Sequence, residues 1–311
     1  MAITKISTAN REEWLALRSK YIGGSDAAAV VGLNSYASAY SLWAEKTGKT
    51  PSFGGNLATE VGTFLEEFVA RKFEEETGKK VRRCNQSILN DLYPWAIANI
   101  DREVIGEDAG LEIKTTSELN LKKFKGGEYP SNYYAQCVHY LAVTGKKRWY
   151  LAVLIGNRDF RIFTIERDEA EIAALMAAEE KFWGHVTTNT PPPVDGSKAT
   201  TEALRTVYPN GQKDRNVDLF GYEDCLHQYM ALKEQIDELT KLKDEMANKV
   251  KLYMGDSARA EGNRYKVSWA SQERRNFDRK RFEKDFAHID LTPYFNVSTA
   301  RTFKVTEKKE A

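Results

Sequence analysis

The sequence predicts an α/β protein, with a central mixed sheet flanked by helices, a long helix beyond it and a small α+β extension. Segments with apolar residues at helical spacing alternate with short runs of strand-forming residues, which is typical of this class. The composition, with 41% hydrophobic and 29% charged residues, is that of a soluble globular protein with a core to bury.

The elements follow one another along the first two thirds of the chain. Helical patterns cover residues 10–20, 37–47, 60–77, 131–144 and 168–186. Strand-like runs cover residues 80–90, 95–105, 111–115, 147–155 and 160–166. Residues 187–201 contain three consecutive prolines and form a linker or covering loop. We therefore predict one domain over residues 1–200 and an accessory region over 201–311.

The accessory region is predicted to begin with a long amphipathic helix over residues 222–254, followed by strand 264–270, helix 278–286 and strand 301–305. Apolar residues of the long helix recur at heptad-like spacing, interrupted by Lys243. The preferred interpretation is a helix that packs within its own chain, and the alternative is an intermolecular coiled coil. Beyond the helix lies a basic cluster that contacts either DNA backbone or solvent, comprising Arg274, Arg275, Arg279, Lys280 and Arg281.

Charge and cysteine content exclude several classes of protein. A net charge of +1 excludes a globally basic nucleic-acid binder, so any DNA contact would be a local groove. The three cysteines, Cys84, Cys137 and Cys225, lack metal-ligand spacing, which argues against a zinc site and for reduced thiols. No apolar run approaches about 18 residues and the N-terminus lacks a signal core, so we expect a cytoplasmic protein without a membrane span.

The most informative residues are two carboxylates and a lysine, Asp101, Glu112 and Lys114. Two strand-like runs joined by the turn-forming residues 106–110 predict a hairpin that places Asp101 beside Glu112. Because side chains alternate along a strand, Glu112 and Lys114 share one face. Carboxylates suit Mg²⁺, and a nearby ammonium orients water or offsets phosphate charge, which predicts metal-dependent phosphodiester hydrolysis. The alternative is a solvated sheet face with weak ion pairs.

Two helices offer further site residues. In helix 60–77 a predicted buried stripe has Glu66 at its edge, where it could reach a metal held by Asp101 and Glu112, whereas Glu67 faces water. The stripe comprises Val61, Phe64, Leu65, Phe68, Val69 and Phe73. In helix 131–144, Gln136 and Tyr140 share a face, where Gln136 could donate to a phosphate or a metal-bound water. Two ordinary half-buried polar residues are the alternative.

An anion site is predicted near the N-terminus. Arg18 precedes the turn Gly23-Gly24-Ser25-Asp26, which leads into an apolar helix. Main-chain N–H groups at a helix start and a forked guanidinium both suit phosphate. A simple helix cap by Ser25 or Asp26 is the alternative.

Taken together, these motifs resemble the YqaJ-like viral recombinase family, in the lambda-type phage alkaline exonuclease branch of the PD-(D/E)XK nuclease superfamily. The resemblance spans about residues 12–186. The matched residues, in chain order, are Trp14, Arg18, Ile22-Gly23-Gly24-Ser25, Leu42-Trp43, Lys46-Thr47-Gly48, Gly62, Leu65-Glu66, Asn99-Ile100-Asp101, Leu111-Glu112-Ile113-Lys114, Tyr134, Gln136, Tyr140 and Thr144-Gly145.

The resemblance implies a restriction-endonuclease-like core and a role for each matched residue. Asp101, Glu112 and the Ile113 main-chain carbonyl would bind two Mg²⁺ ions, for which Mn²⁺ would substitute, with Glu66 as a further ligand or neighbour. Lys114 would orient the attacking water, and Gln136 and Tyr140 would support the site. The residues implied to bind the 5′-phosphate or DNA are Arg18, Ser25, Asn99, Lys122 and Lys123.

The activity implied is 5′-to-3′ digestion of linear double-stranded DNA from its ends, leaving 3′ overhangs for recombination by strand annealing. A single-strand annealing protein and a ring-shaped homotrimer are implied as partners. Two positions depart from the family pattern: Ile100 replaces a proline, and Asn120, Lys122 and Lys123 occupy a region where an arginine is expected. The alternatives are a structure-specific or nicking endonuclease of the same fold, and a DNA-end-binding recombination scaffold without activity.

Overall fold

The computed structural model describes residues 2–52, 54–212, 214–296 and 301–307, in two units, Met1–Pro209 and Asn210–Ala311. The boundary predicted at residue 200 falls inside a helix, Lys198–Val207, that belongs to the first unit. This helix packs on the helix Ala39–Lys46, where Thr200 donates a 2.7 Å hydrogen bond to Ser38. The proline-rich segment is therefore a loop of the first unit.

The five helices predicted at 10–20, 37–47, 60–77, 131–144 and 168–186 agree with the structure to within three residues at each end, whereas the helix Lys198–Val207 was not predicted. Their starts are capped by side chains such as Asn10, Asn56 and Asp168, each of which accepts a main-chain N–H of the first turn. The helices are α1 (Arg11–Arg18), α2 (Gly24–Val30), α3 (Ala39–Lys46), α4 (Leu57–Thr77), α5 (Ser131–Thr144), α6 (Glu169–Thr187) and α7 (Lys198–Val207). A kinked 3₁₀ segment covers Glu118–Gly127.

Strands of the first unit form two sheets. The four-stranded sheet has the order β1 (Ile3–Ile6), β4 (Ser87–Asn90), β5 (Ala96–Ala98) and β2 (Ile22–Gly23). The five-stranded sheet has the order β3 (Val81–Arg83), β6 (Arg102–Val104), β7 (Ala109–Thr116), β8 (Arg148–Ile155) and β9 (Asp159–Glu166). Both are mixed, since β2 pairs parallel with β5 and β7 with β8. The predicted α/β class with a mixed sheet flanked by helices is confirmed.

The predicted strands 80–90 and 95–105 are each divided between the two sheets. β4 and β5 lie in the four-stranded sheet, whereas β3 and β6 lie in the five-stranded one. Asn99, Ile100 and Asp101 form the passage from β5 to β6. Asp101 therefore lies at the junction, just before the paired residues of β6, which leaves its side chain able to reach β7.

Helix α5 lies at the centre of the core and packs against strands of both sheets. All its residues from Ala135 to Thr144 are buried. Strand β8 is nearly covered on both faces, and Trp149 is fully buried. A Cβ on Gly110 of the neighbouring strand would lie 2.3 Å from the Trp149 ring, so this position requires glycine.

The predicted buried stripe of α4 holds only in the C-terminal half of the helix. Val69 and Phe73 are fully buried against β7 and β8, but Val61 and Phe68 are exposed and Phe64 is 84% exposed. The apolar stripe of this helix therefore extends beyond the surface that the sheet covers.

The second unit contains α8 (Glu223–Met254), the hairpin of β10 (Arg259–Glu261) and β11 (Lys266–Ser268), and α9 (Arg279–Asp285). The predicted strand 264–270 is the second arm of this hairpin. The predicted strand 301–305 is wrong, because residues 301–307 form no strand and Phe303 instead packs edge-on against Tyr229. Within the described ranges, no helix has the length and apolar character to cross a bilayer.

Candidate functional site

The hairpin of β6 and β7 brings Asp101 to Glu112, as predicted. Arg102 pairs with Leu111 across the hairpin, which places the preceding Asp101 beside the next residues of β7. The Ile113 main-chain N–H donates a 2.8 Å hydrogen bond to Oδ2 of Asp101. The two carboxylates and Lys114 therefore lie in one cluster.

Glu112 is only 2% exposed and is held by two side-chain donors. Its Oε1 accepts from Lys114 at 2.6 Å and from Gln136 at 2.7 Å. Its Oε2 is buried without a hydrogen-bond partner among the described residues. A buried carboxylate oxygen without a partner is unfavourable, so this atom marks a position where a cation would be stabilising.

The charge of Glu112 disfavours ionisation of Asp101. Burial, and then the charge of Glu112, raise the pKa of Asp101 well above its ordinary value. Burial also raises the pKa of Glu112, although Lys114 opposes this shift. A divalent cation between the two groups would offset both effects.

Lys114 keeps its proton in this cluster. Burial alone would lower the pKa of Lys114, but the charges of Glu112 and Asp101 outweigh it, and the pKa is raised. The ammonium also lies 5.5 Å from the centroid of the Tyr133 ring. Lys114 is therefore a fixed positive charge in the site rather than a proton acceptor.

Glu66 contacts Arg102, a residue that was not predicted to belong to the site. The guanidinium of Arg102, only 3% exposed, donates to Glu66, to Glu67 at 3.2 Å and to the Asp101 main-chain carbonyl at 2.8 Å. Glu67, predicted to face water, is 57% exposed and also pairs with Arg83. The metal-ligand role of Glu66 stays a prediction.

Gln136 and Tyr140 form a chain of hydrogen bonds behind the carboxylates. Besides its bond to Glu112, Gln136 donates to the Tyr140 hydroxyl at 2.9 Å, and Tyr140 donates to the Asn99 main-chain carbonyl at 2.9 Å. The predicted donation from Gln136 to a phosphate or a metal-bound water is not what this arrangement shows. Both residues are buried, and their contacts hold Glu112 and the β5–β6 junction in place.

Asn99 has partners within the protein. Its side-chain oxygen accepts from Trp14 at 2.9 Å and from Ser87 at 2.6 Å. These bonds connect α1 and β4 to the residue that lies two positions before Asp101. Its contact with DNA stays a prediction.

Arg18 and Ser25 lie together, as predicted, and Arg18 donates to the Ser25 hydroxyl. The neighbouring Asp26 pairs with Lys46 at 2.8 Å and lies 3.7 Å from Arg18. Burial would raise the pKa of Asp26, but Lys46 and Arg18 outweigh it and the pKa is lowered. Lys46 offsets the charge of Asp26, so the half-exposed guanidinium of Arg18 retains its attraction for an anion.

The glycine turn differs from the predicted phosphate cradle. The main-chain N–H of Gly23 donates to the Asp26 carboxylate at 3.0 Å, so an internal acceptor occupies this group. A Cβ on Gly24 would lie 2.5 Å from the Tyr140 ring. Glycine is thus required here for close packing on α5, and the turn connects Arg18 to the carboxylate cluster.

Lys122 and Lys123 lie on the 3₁₀ segment that follows β7, and both are exposed. Neither pairs with an acid in the part of the chain that the structure describes. They remain candidates for contacts with a phosphate backbone, a role that is untested.

The donor set fits Mg²⁺ rather than a metal enclosed by protein ligands. The described residues contain no cluster of three or more His, Cys, Asp or Glu side chains around one point. Mg²⁺ commonly binds through one or two carboxylates and completes its coordination with water and substrate phosphates. Asp101 and Glu112, with the Ile113 carbonyl beside them, match that pattern.

Comparisons with known proteins identify one family. The model of the YqaJ-like viral recombinase domain matches residues 13–147. The uncharacterised protein YqaJ of Bacillus subtilis strain 168 is 37% identical over 292 residues, covering 92% of each chain.

Two solved structures are also similar. The alkaline exonuclease LHK-Exo of Laribacter hongkongensis aligns with a TM-score of 0.48 at 22% identity, over 58% of this chain and 94% of that one. A phage related exonuclease of Haemophilus somnus 129PT aligns with a TM-score of 0.41 at 12% identity, over 57% and 99%.

Proposed function

The chain belongs to the YqaJ-like viral recombinase family, and from this membership and its carboxylate cluster we propose that it is a Mg²⁺-dependent 5′-to-3′ exonuclease acting on linear double-stranded DNA. The observation that carries the proposal is the convergence of Asp101, Glu112 and Lys114, with one buried Glu112 oxygen that has no hydrogen-bond partner among the described residues. A solvated sheet face with weak ion pairs would not bury Glu112, which is 2% exposed.

Asp101, Glu112 and the Ile113 main-chain carbonyl are the residues that would hold two Mg²⁺ ions, or Mn²⁺ in their place. When bound, the metal supplies Lewis acidity toward the scissile phosphate and a more acidic water. Lys114 adds a permanent positive charge that stabilises the phosphate as negative charge develops on it.

The remaining residues keep the carboxylates in position. Gln136 holds one oxygen of Glu112, and the Ile113 N–H holds one oxygen of Asp101, so each carboxylate presents its other oxygen. Arg102 donates a hydrogen bond to the Asp101 main-chain carbonyl and forms an ion pair with Glu66. Such supporting contacts commonly affect metal affinity strongly.

The Arg18–Ser25 pair would bind the 5′-phosphate of the strand being digested. A guanidinium offers two parallel donors to a phosphate, and the Ser25 hydroxyl lies within its reach. Capture of each new 5′-phosphate would set the direction of digestion. Exposed Lys122 and Lys123 would contact the phosphate backbone nearby.

Digestion of one strand leaves a 3′ single-stranded overhang, which is the substrate of a single-strand annealing protein. We expect such a protein to be the partner in phage-type recombination in the cytoplasm. We also expect a homo-oligomeric ring around the DNA, as in the lambda-type enzymes.

The test uses linear duplex DNA labelled on the 5′ or the 3′ end, with covalently closed plasmid as a parallel substrate. In Mg²⁺ we expect shortening from the 5′ end only, and an intact circle. Glu112→Gln and Lys114→Ala should abolish digestion, whereas Glu128→Gln, on an exposed residue, should not.

Each alternative gives another result. Cutting of the closed circle would indicate an endonuclease. End binding that needs no metal, without digestion by the parent protein, would indicate a scaffold and overturn the proposal.

A further inference from the structure

Helix α8 presents a long apolar stripe that the described chain leaves open. Its members repeat at alternating spacings of four and three residues, the pattern of a coiled-coil seam. They are exposed by 42–90%, which differs from the predicted packing of this helix within its own chain. The stripe comprises Leu232, Ile236, Leu239, Met246, Val250 and Tyr253, with Lys243 at one seam position.

The N-terminal end of the seam is partly covered by another aromatic side chain. Tyr229, three residues before Leu232 and seven before Ile236, is 42% exposed, and its ring centroid lies 5.6 Å from that of Phe303. The open stripe therefore begins at Leu232. It spans three heptads, which is about the shortest apolar repeat that indicates a coiled coil.

Charge is unevenly divided along the same helix. The first half, up to Glu238, is acidic, with one lysine (Lys233) among Glu223, Asp224, Glu234, Asp237 and Glu238. The second half is basic, with Lys241, Lys243, Lys249 and Lys251 against Asp244 and Glu245. Lys243 lies 3.2 Å from Asp244 of the same helix, and Lys249 lies 2.6 Å from Glu245. Lys241 and Lys251 have no acidic partner in the described chain.

From the seam and this charge gradient we infer that α8 is a self-association site that binds the α8 of a second copy of the chain in antiparallel orientation. An antiparallel pair places each acidic half along a basic half and opposes the two helix dipoles. A parallel pair would align like charges and stack Lys243 on its own copy. In the antiparallel pair, each Lys243 lies against a leucine and extends its ammonium to water.

The heptad positions fix the register of this pair. Residues at the two alternating seam positions face each other across an axis near Lys241. The facing pairs are Leu232 with Val250, Ile236 with Met246, and Leu239 with Lys243. Cys225, which is exposed, has no Cys225 opposite it in this register.

The first experiment measures molar mass by sedimentation equilibrium on the full chain across a concentration series. Ile236→Asp should halve the molar mass, from a dimer to a single chain, or from two trimeric rings joined through their α8 pairs to one ring. The control Asn248→Asp adds the same charge on the opposite face and should leave the mass unchanged. Lys243→Ile should strengthen association, a gain that loss of folding cannot produce. Equal masses for the parent protein and Ile236→Asp would overturn the inference.

The second experiment establishes orientation by disulfide formation in a Cys225→Ser background. Chains carrying Ile236→Cys should crosslink to chains carrying Met246→Cys when the two are mixed under oxidising conditions. Each variant alone should give little crosslinked dimer. Efficient crosslinking of either single variant with itself would show a parallel pair and contradict the proposed orientation, and no crosslinking in the mixture would contradict the register.

Discussion

The main-chain N–H of Ile113 donates a 2.8 Å hydrogen bond to Oδ2 of Asp101. This bond ties the residue that ends the β5–β6 junction to the strand that carries Glu112 and Lys114. The Asp101 carboxylate is thus fixed beside Glu112, although burial and the charge of Glu112 raise its pKa. In the metal-free protein, the repulsion between the Asp101 and Glu112 carboxylates lowers the free energy of unfolding.

Asp101→Asn should therefore stabilise the metal-free protein while abolishing nuclease activity. The asparagine oxygen can still accept from Ile113, but the buried negative charge is removed. The pKa of Asp101 is raised on folding, so stability is lost as pH rises from about 3.9 through the folded pKa. We expect a gain of about 1–3 kcal/mol at neutral pH, measured by urea unfolding in EDTA. Glu128→Gln is the control, and a loss of stability in Asp101→Asn would contradict the proposed repulsion.

Gln136→Leu should weaken metal binding more than it affects folding. The substitution keeps the volume of the side chain but removes the donor to Glu112 and Tyr140. We expect the Mg²⁺ concentration for half-maximal digestion to rise about 10–100-fold, with recovery of much of the rate at saturating metal. Ser131→Ala, on the exposed first turn of the same helix, should leave the metal dependence unchanged. An unaltered Mg²⁺ requirement in Gln136→Leu would show that this contact has no positioning role.

Arg18→Ala should reduce the preference for 5′-phosphorylated over 5′-hydroxyl ends. Hydrogen bonds to a charged group contribute about 1.5–3 kcal/mol, which corresponds to about 10–100-fold in discrimination. Arg18→Lys should retain part of the preference because it keeps the charge but loses the forked geometry. The measurement is the ratio of initial rates on the two ends, with exposed Arg11→Ala as the control. Equal ratios for Arg18→Ala and the parent protein would remove Arg18 from the proposed pocket.

Features of local origin could be predicted from the sequence. Helix α5 has the bounds that its apolar spacing and the flanking Pro130 and Gly145 indicate. The hairpin that joins Asp101 to Glu112 follows from the turn residues 106–110 and strand alternation. Both depend on residues close together in the chain, where period and turn chemistry determine the conformation.

Features that depend on distant residues could not be predicted. The division of residues 95–105 between two sheets depends on which strands lie beside β5 and β6. The spacing of residues along the sequence does not determine which strands become neighbours. The sequence pattern around Arg102 indicates an exposed strand residue, yet Arg102 is buried. Its guanidinium is surrounded by Glu66 and Glu67 of α4 and by the Asp101 carbonyl. Phe64 of α4 has the spacing of a core residue, but the sheet ends before reaching it.

The buried pair of His139 and Glu179 should give the protein a pH-dependent stability that is separate from the carboxylate cluster. His139 Nδ1 lies 2.8 Å from Glu179 and its Nε2 lies 3.0 Å from the Ile97 carbonyl. The Glu179 carboxylate and the Ile97 carbonyl can each accept a hydrogen bond from a ring nitrogen, and this arrangement favours the doubly protonated imidazolium form. Burial would lower the pKa of His139, but Glu179 and the Ile97 carbonyl outweigh it, and the pKa is raised.

A histidine with a raised pKa in the folded state contributes stability that is complete below its unfolded pKa of about 6.5 and is lost as pH rises through the folded pKa. His139→Gln should remove that step and lower stability at pH ~6 by about 3–5 kcal/mol, because Glu179 is left buried without its cation. Urea midpoints from pH ~6 to ~9 would measure both effects, with exposed His227→Gln as the control. If the parent protein and His139→Gln lose stability in parallel over this range, His139 is neutral in the fold, and the imidazolium assignment is wrong.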